Sequence, residues 1–178
     1  MTSPAPQSPV ILGIVGWKDS GKTTLVVSLV SALAARGFTV STVKHAHHSF
    51  DVDQPGADTH RHRKAGAGEV AIISENRWAL MHENAPGEKE PPLGEILKKL
   101  SPCDIVLVEG YKAETITKIE VQRAGARSTE TLFNSQTGVI AVVNPQVPTP
   151  PHLATFGADD IEPLCDFIIT HFALESAA

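Results

Sequence analysis

A chain of 178 residues, 42% hydrophobic and 20% charged, is long enough to bury a core, which excludes the disordered and fibrous classes. Its net charge of −5 gives no general attraction to nucleic acid or to an anionic membrane, so neither is expected as a partner. Two distant cysteines, Cys103 and Cys165, lie in apolar stretches and read as buried thiols in a reducing compartment, not as a disulfide framework.

Residues 1–9 are short and Pro- and Ser-rich, without the apolar core of a secretory signal, and are expected to form a disordered tip. No apolar run reaches membrane-spanning length, so a cytoplasmic protein is expected. Residues 10–175 are expected to form a single domain.

Val10 to Val15 is a continuous apolar run, as suits a parallel strand covered on both faces. A helix follows from Lys22 to Arg36, with Leu25, Val26, Leu29, Val30 and Leu33 on one side and Gly37 as its stop. Phe38 to Val43 is the next strand, completing a βαβ unit. Asp58 is expected to cap a helix starting at Thr59 and ending at Gly66 and Gly68. Glu69 to Ser74 and Arg77 to Glu83 read as a hairpin. Leu93 to Leu100 reads as a short helix, and Asp104 to Gly110 as a buried strand ending in Glu109. Lys118 to Arg123 alternates apolar and polar residues, which predicts a half-exposed strand. Val139 to Val143 is another buried strand, 146–157 a proline-rich loop, and Ile161 to Ala173 a last helix capped by Asp159 or Asp160. Alternating βα units imply an α/β fold with a mostly parallel, three-layer central sheet. The segments 69–83 and 117–123 are assigned to a small antiparallel extension.

Between the first strand and helix, Gly16, Gly21, Lys22 and Thr23 complete G-x-x-x-x-G-K-[ST], the spacing of a phosphate-binding loop. Its physics requires glycines that let backbone N–H groups of Gly16, Trp17, Lys18, Asp19, Ser20, Gly21, Lys22, Thr23 and Thr24 converge on phosphate oxygens at a helix N-terminus. Lys22 is expected on the β- and γ-phosphates and Thr23 on Mg²⁺. Glu109, an acid closing an apolar strand, is a candidate for the metal shell, and Asp53, on the loop after the second strand, a candidate for the metal or an attacking water. Asp19 is unexpected inside a phosphate cradle, since like charges repel. Arg61, Arg63 and Lys64 on the second predicted helix are candidates for a second anion or substrate. Thr117 to Glu120 superficially matches a guanine-reading motif but ends in Glu inside an alternating strand, so residue chemistry alone leaves GTP and ATP open. His45, His47, His48, His60 and His62 keep open a nickel or zinc metallochaperone GTPase; an ATP-dependent small-molecule kinase is a third class.

The motifs resemble the molybdopterin-guanine dinucleotide biosynthesis protein B (MobB) family. The resemblance is carried by Gly16-x-x-x-Ser20-Gly-Lys-Thr-Thr-Leu25, Val43-Lys-His45 and Asp51-x-Asp53-x-Pro-Gly-x-Asp58. It continues through Arg61-x-Arg-Lys-Ala-Gly-Ala67, Asp104 to Lys112, and Lys118-Ile-Glu-Val121, over about residues 10–170. It implies a P-loop NTPase fold and slow, Mg²⁺-dependent GTP hydrolysis. It also implies assistance to a guanylyltransferase (MobA) that joins GMP to molybdopterin, and a homodimer whose interface includes the extra β-structure. Trp17-Lys18-Asp19 departs from the small residues common in the loop, and Trp17 is a candidate for stacking on a ligand or a dimer mate.

Overall fold

The computed structural model describes residues 8–46, 50–128 and 130–175. Most of the tip expected over 1–9 therefore lies outside the described residues, as do His47 and His48. The elements, in order, are β1 (Val10–Val15), α1 (Lys22–Ala35), β2 (Val40–Lys44), α2 (Asp58–Lys64), β3 (Glu69–Ile73) and β4 (Trp78–His82). These are followed by α3 (Leu93–Leu97), β5 (Ile105–Glu109), β6 (Thr117–Val121), β7 (Val139–Val143), β8 (Ala154–Phe156) and α4 (Ile161–Phe172). They form two compact units, one comprising residues up to His45 together with those from Leu100 onward, the other residues 46–99.

In the first unit six strands run in the order β2-β5-β1-β6-β7-β8, and every pairing is parallel. β5 is buried at every position, and β1 from Leu12 to Val15, as the apolar runs require when both faces are covered. Helices α1 and α4 pack on one another and turn Leu25, Leu29, Leu33, Leu164, Cys165 and Ile168 onto Leu12, Ile14, Ile105, Leu107 and Ile119. Burial pushes the Cys165 thiol above its usual range, whereas Cys103 is only partly buried. Because β1 has β5 on one side and β6 on the other, the chain reverses its direction of sheet growth at β1. The carboxyl end of such a strand is where open α/β sheets hold ligands.

The parallel α/β sheet and the separate antiparallel hairpin agree with the sequence reading, but β6 does not lie where expected. Thr117–Val121 is an interior strand of the main sheet, between β1 and β7, and forms no part of an antiparallel extension. Its alternation is real, yet its polar residues are buried: Lys118 and Glu120 are each 1% exposed. Each finds backbone partners instead of water. The Lys118 ammonium donates to the carbonyls of Ile116 (3.2 Å) and Thr137 (2.8 Å), and Glu120 accepts from the N–H groups of Leu132 (2.9 Å) and Phe133 (2.8 Å). A buried polar side chain with satisfied partners escapes the desolvation penalty that the half-exposed reading assumed. The edge strand β8 also lies within the segment read as proline-rich loop, pairing with β7 through Ala141 to Val143.

In the second unit β3 and β4 pair antiparallel from Glu69↔His82 to Ile73↔Trp78, as the alternation predicts. The turn closes without glycine because the Ser74 N–H and hydroxyl both donate to the Arg77 carbonyl, at 2.8 and 3.1 Å. Helix α2 starts one residue earlier than expected: Ala57 is the N-cap and Asp58 makes no capping bond. Asp160 likewise makes no side-chain cap to α4; its carboxylate instead accepts from the Gly157 N–H at 2.7 Å.

Candidate functional site

The loop from Gly16 to Gly21 leaves the end of β1 and enters α1. At Gly16 the backbone passes so close to β6 that a Cβ would lie 2.5 Å from the Val121 carbonyl and 2.6 Å from Ser20 Oγ. Only glycine fits that approach. Gly21, the N-cap of α1, is in the left-handed region at φ 96°. Asp19 is there too, at φ 67°, and aspartate is among the few side chains enriched in that conformation. Its presence in the cradle is thus a backbone requirement met by a residue other than glycine.

A cavity of about 260 Å³ opens over this loop, lined by Asp19, Gly21, Lys22, Thr23, Thr24 and Arg123. Lys22 Nζ folds onto the Trp17 carbonyl at 2.7 Å. Partial burial holds its pKa below the usual lysine value; nearby Glu109 and Asp19 oppose that shift, and Lys112 and Lys44 reinforce it. Thr23 Oγ1 donates to Glu109 Oε1 at 2.8 Å, joining the first turn of α1 to the end of β5. Lys44, the last residue of β2, reaches the same point: its ammonium is 3.3 Å from Thr23 Oγ1 and 3.2 Å from Glu109 Oε1. The adjacent pairing of β5 with both β1 and β2 brings these three residues together.

The loop is braced by the segments after β5 and β6. Trp17 Nε1 donates to the Glu130 carbonyl at 2.6 Å, the Arg127 N–H donates to the Lys18 carbonyl at 3.2 Å, and the Lys112 ammonium lies 3.9 Å from the centre of the Trp17 ring. Trp17 is thereby engaged within its own chain. Lys18, Lys22, Lys44, Lys112 and Arg123 concentrate positive charge here in a chain of net charge −5, the local field an anionic ligand needs.

Asp53, His60, Arg61, His62, Arg63 and Lys64 sit in the second unit. Each oxygen of Asp53 has a partner, Oδ1 the Thr59 hydroxyl (2.7 Å) and Oδ2 the Arg63 Nε (3.2 Å). Arg63 also pairs with Asp51 (2.7 Å) and Glu83 (2.6 Å), and its three carboxylate neighbours raise its pKa, the Glu83 bond most. Its guanidinium ties the 51–53 loop and the hairpin end to α2. Arg61 and Lys64 are exposed, Arg61 lying 3.6 Å from Asp58. His45, in the first unit, lies tilted against Tyr111 with ring centroids 4.8 Å apart, and in the second unit His60 Nδ1 is 3.5 Å from the Gly56 backbone nitrogen. Among the described residues no group of three or more His, Cys, Asp or Glu is placed to hold a metal ion.

Sequence reasoning passed over Lys44, Lys112 and Arg123 as site residues. Each follows the end of a strand or sits on its last residue, which is a usable signal only once the strand order puts β2, β5 and β6 around β1.

Comparison with known proteins agrees with this architecture. The family model described as MobB, molybdopterin guanine dinucleotide synthesis protein B, matches residues 11–145. The molybdopterin-guanine dinucleotide biosynthesis adapter protein of Escherichia coli K12 is 41% identical over 163 residues, covering 89% of this chain and 91% of the relative. That of Haemophilus influenzae is 41% identical over 113 residues, covering 64% of this chain and 63% of the relative. Among solved structures, a MobB homolog from Bacillus stearothermophilus superposes with a TM-score of 0.68 at 25% identity, over 92% of this chain and 97% of that one. Bacillus subtilis MobB gives 0.70 at 23% identity, over 94% and 99%, a likeness of fold. With an α/β sheet of this topology, a glycine-bounded loop at its switch point and these relatives, the chain belongs to the molybdopterin guanine dinucleotide synthesis protein B (MobB) family.

Proposed function

We propose that this chain is a GTP-binding adapter in molybdopterin guanine dinucleotide synthesis, with slow Mg²⁺-dependent GTPase activity, serving a MobA-like guanylyltransferase. The observation that carries the nucleotide part is the Thr23–Glu109 hydrogen bond at the edge of the loop cavity. Because the Thr23 proton is directed to Glu109, a hydroxyl lone pair remains for a cation, and the Lys44 ammonium stands there. A hydroxyl and a carboxylate oxygen make a hard donor set that fits Mg²⁺. Bound there, Mg²⁺ would neutralise phosphoryl charge. The backbone N–H groups of residues 17–24 would receive the phosphates, Lys22 would leave the Trp17 carbonyl for their β- and γ-oxygens, and Arg123 would add charge at the cavity wall. Slow turnover follows from the engagement of Asp53, the sequence candidate for positioning water, with Thr59 and Arg63.

The adapter part draws on the names of the 41% identical relatives. Self-association would use the hairpin. Directly opposed residues share a face, so Ile73, Trp78, Ala71 and Leu80 form one apolar stripe, with Ile73 77% and Trp78 68% exposed. Such a stripe fits a second copy of the chain in a symmetric contact.

Titration with GTP and ATP in Mg²⁺ tests the nucleotide reading, with GTP expected to bind at least tenfold tighter. ATP binding equally or better would replace it with the kinase reading, and Lys22→Ala is expected to lose triphosphate binding. Co-purification with the guanylyltransferase tests the adapter role, and failure of the purified pair to associate at micromolar concentration would count against it.

A further inference from the structure

The position of Lys44 carries a consequence beyond nucleotide binding as such. Its ammonium lies 3.2 Å from Glu109 Oε1 and 3.3 Å from Thr23 Oγ1, the two oxygens assigned above to a divalent cation. The two oxygens are themselves 2.8 Å apart. That separation is close to the roughly 3 Å edge of an octahedron whose ligands lie about 2.1 Å from the metal. An ammonium bridging both oxygens therefore occupies the side of the pair that a metal would have to enter.

Several features make this placement more than a surface ion pair. Glu109 is nearly buried, at 11% side-chain exposure, so its charge is costly without a cationic neighbour. Lys22, in the first turn of α1, is turned away onto the Trp17 carbonyl. Lys44 is the terminal residue of β2, in register with Glu109 at the end of β5, so its backbone is fixed by the sheet while its side chain, 59% exposed, is free to swing out. The sheet thus delivers a tethered cation to the metal-side oxygens, on a stem long enough to withdraw.

We infer that Lys44 is a built-in counter-ion of the metal site, which competes with the divalent cation for Thr23 and Glu109 and is displaced when the metal binds. This rests on the reading of Thr23 and Glu109 as metal-side residues. In the metal-free protein Lys44 balances Glu109 and keeps its carboxylate aligned with Thr23. It also sets a threshold: divalent cations bind poorly until the phosphates of a nucleotide add further oxygens and negative charge. Metal and nucleotide then load together, and Lys44 is released toward solvent or toward the phosphate oxygens.

The test is Mn²⁺ binding to the full-length nucleotide-free protein, followed by electron paramagnetic resonance of the free ion, which reads the site without reference to turnover. Lys44→Met is expected to tighten Mn²⁺ binding about tenfold, a change of ~1.4 kcal/mol, while Lys44→Arg, which restores the charge, returns it toward the wild-type value. Lys44→Gln serves as a second neutral variant should the methionine protein fold poorly, with thermal melting as the control. Unchanged or weaker Mn²⁺ binding in the neutral variants would overturn the inference. Glu109→Gln separates this failure from that of the underlying site: it should abolish Mn²⁺ binding in both the wild-type and Lys44→Met backgrounds. If it does not, the metal-site assignment itself is wrong and the role of Lys44 falls with it.

Discussion

Glu120 offers a sharp test of how the loop from Gly16 to Gly21 is supported. It lies on β6, 1% exposed, and its carboxylate accepts three bonds: from the Leu132 N–H at 2.9 Å, the Phe133 N–H at 2.8 Å and Gln122 Nε2 at 3.0 Å. These bonds hold the far end of the segment that reaches the loop through Glu130 and Arg127. Glu120→Gln keeps the shape but turns one acceptor into a donor, so at least one buried N–H faces an NH₂ group. A hydrogen bond to a charged group contributes about 1.5–3 kcal/mol, and a buried unsatisfied donor costs about 1–3 kcal/mol. Their partial overlap sets the expected loss near ~3 kcal/mol. At roughly 2–4 °C per kcal/mol for a chain of this size, Tm should fall by about 6–12 °C. Calorimetry measures the shift, with Glu75→Gln in the exposed hairpin turn as the neutral control. Triphosphate affinity, measured at a temperature where the variant is folded, should fall as well, because the brace on Trp17 and Lys18 is loosened. A Tm within about 2 °C of wild type would refute the claim that this carboxylate anchors the loop.

Other perturbations follow from the same geometry. Gly16→Ala puts a Cβ 2.5 Å from the Val121 carbonyl; overpacking of this kind costs about 1–3 kcal/mol, and isothermal titration should record at least a tenfold loss of triphosphate affinity. Ile73→Glu together with Trp78→Glu should convert a dimer to a monomer in sedimentation without altering nucleotide affinity; a dimer surviving both changes would move the interface elsewhere. Acid should loosen residues 46–99. The bond from the Asp53 N–H, and then Arg63, hold the Asp51 carboxyl below its ordinary value of 3.8. A carboxyl with a depressed folded pKa contributes stability that is complete above the unfolded value and is lost as pH falls through the folded one. Hydrogen exchange in this unit should therefore accelerate below about pH 3.8, and Asp51→Asn should reduce that dependence; an identical acid profile in the variant would contradict it.

The one-dimensional pattern carried the local features. The run Val10 to Val15, the glycine-lysine-threonine spacing and the periodicity of Leu25 to Leu33 specify strand, loop and helix because each depends on neighbours a few residues away. The hairpin and the acid closing β5 were legible for the same reason. The assignment of β6 failed because alternation records which residues are polar, not where their partners come from. Lys118 and Glu120 are buried by virtue of carbonyls and N–H groups at positions 116, 137, 132 and 133, some more than ten residues away. The pairing of Asp53 and Arg63 with Thr59, Asp51 and Glu83 was likewise not legible, because it depends on how residues 51–83 fold together.

What the sequence determined by itself, then, is a glycine-bounded loop between an apolar strand and an amphipathic helix, because backbone freedom at glycine and helix periodicity are properties of adjacent residues. What only the tertiary structure decided is which charges meet at that loop. Lys44, Glu109 and Arg123 come from three strand ends, and they converge because parallel pairing sets β5 and β6 on either side of β1. Hydrogen-bond register between distant strands selects those neighbours, and a linear pattern of polar and apolar residues does not encode it.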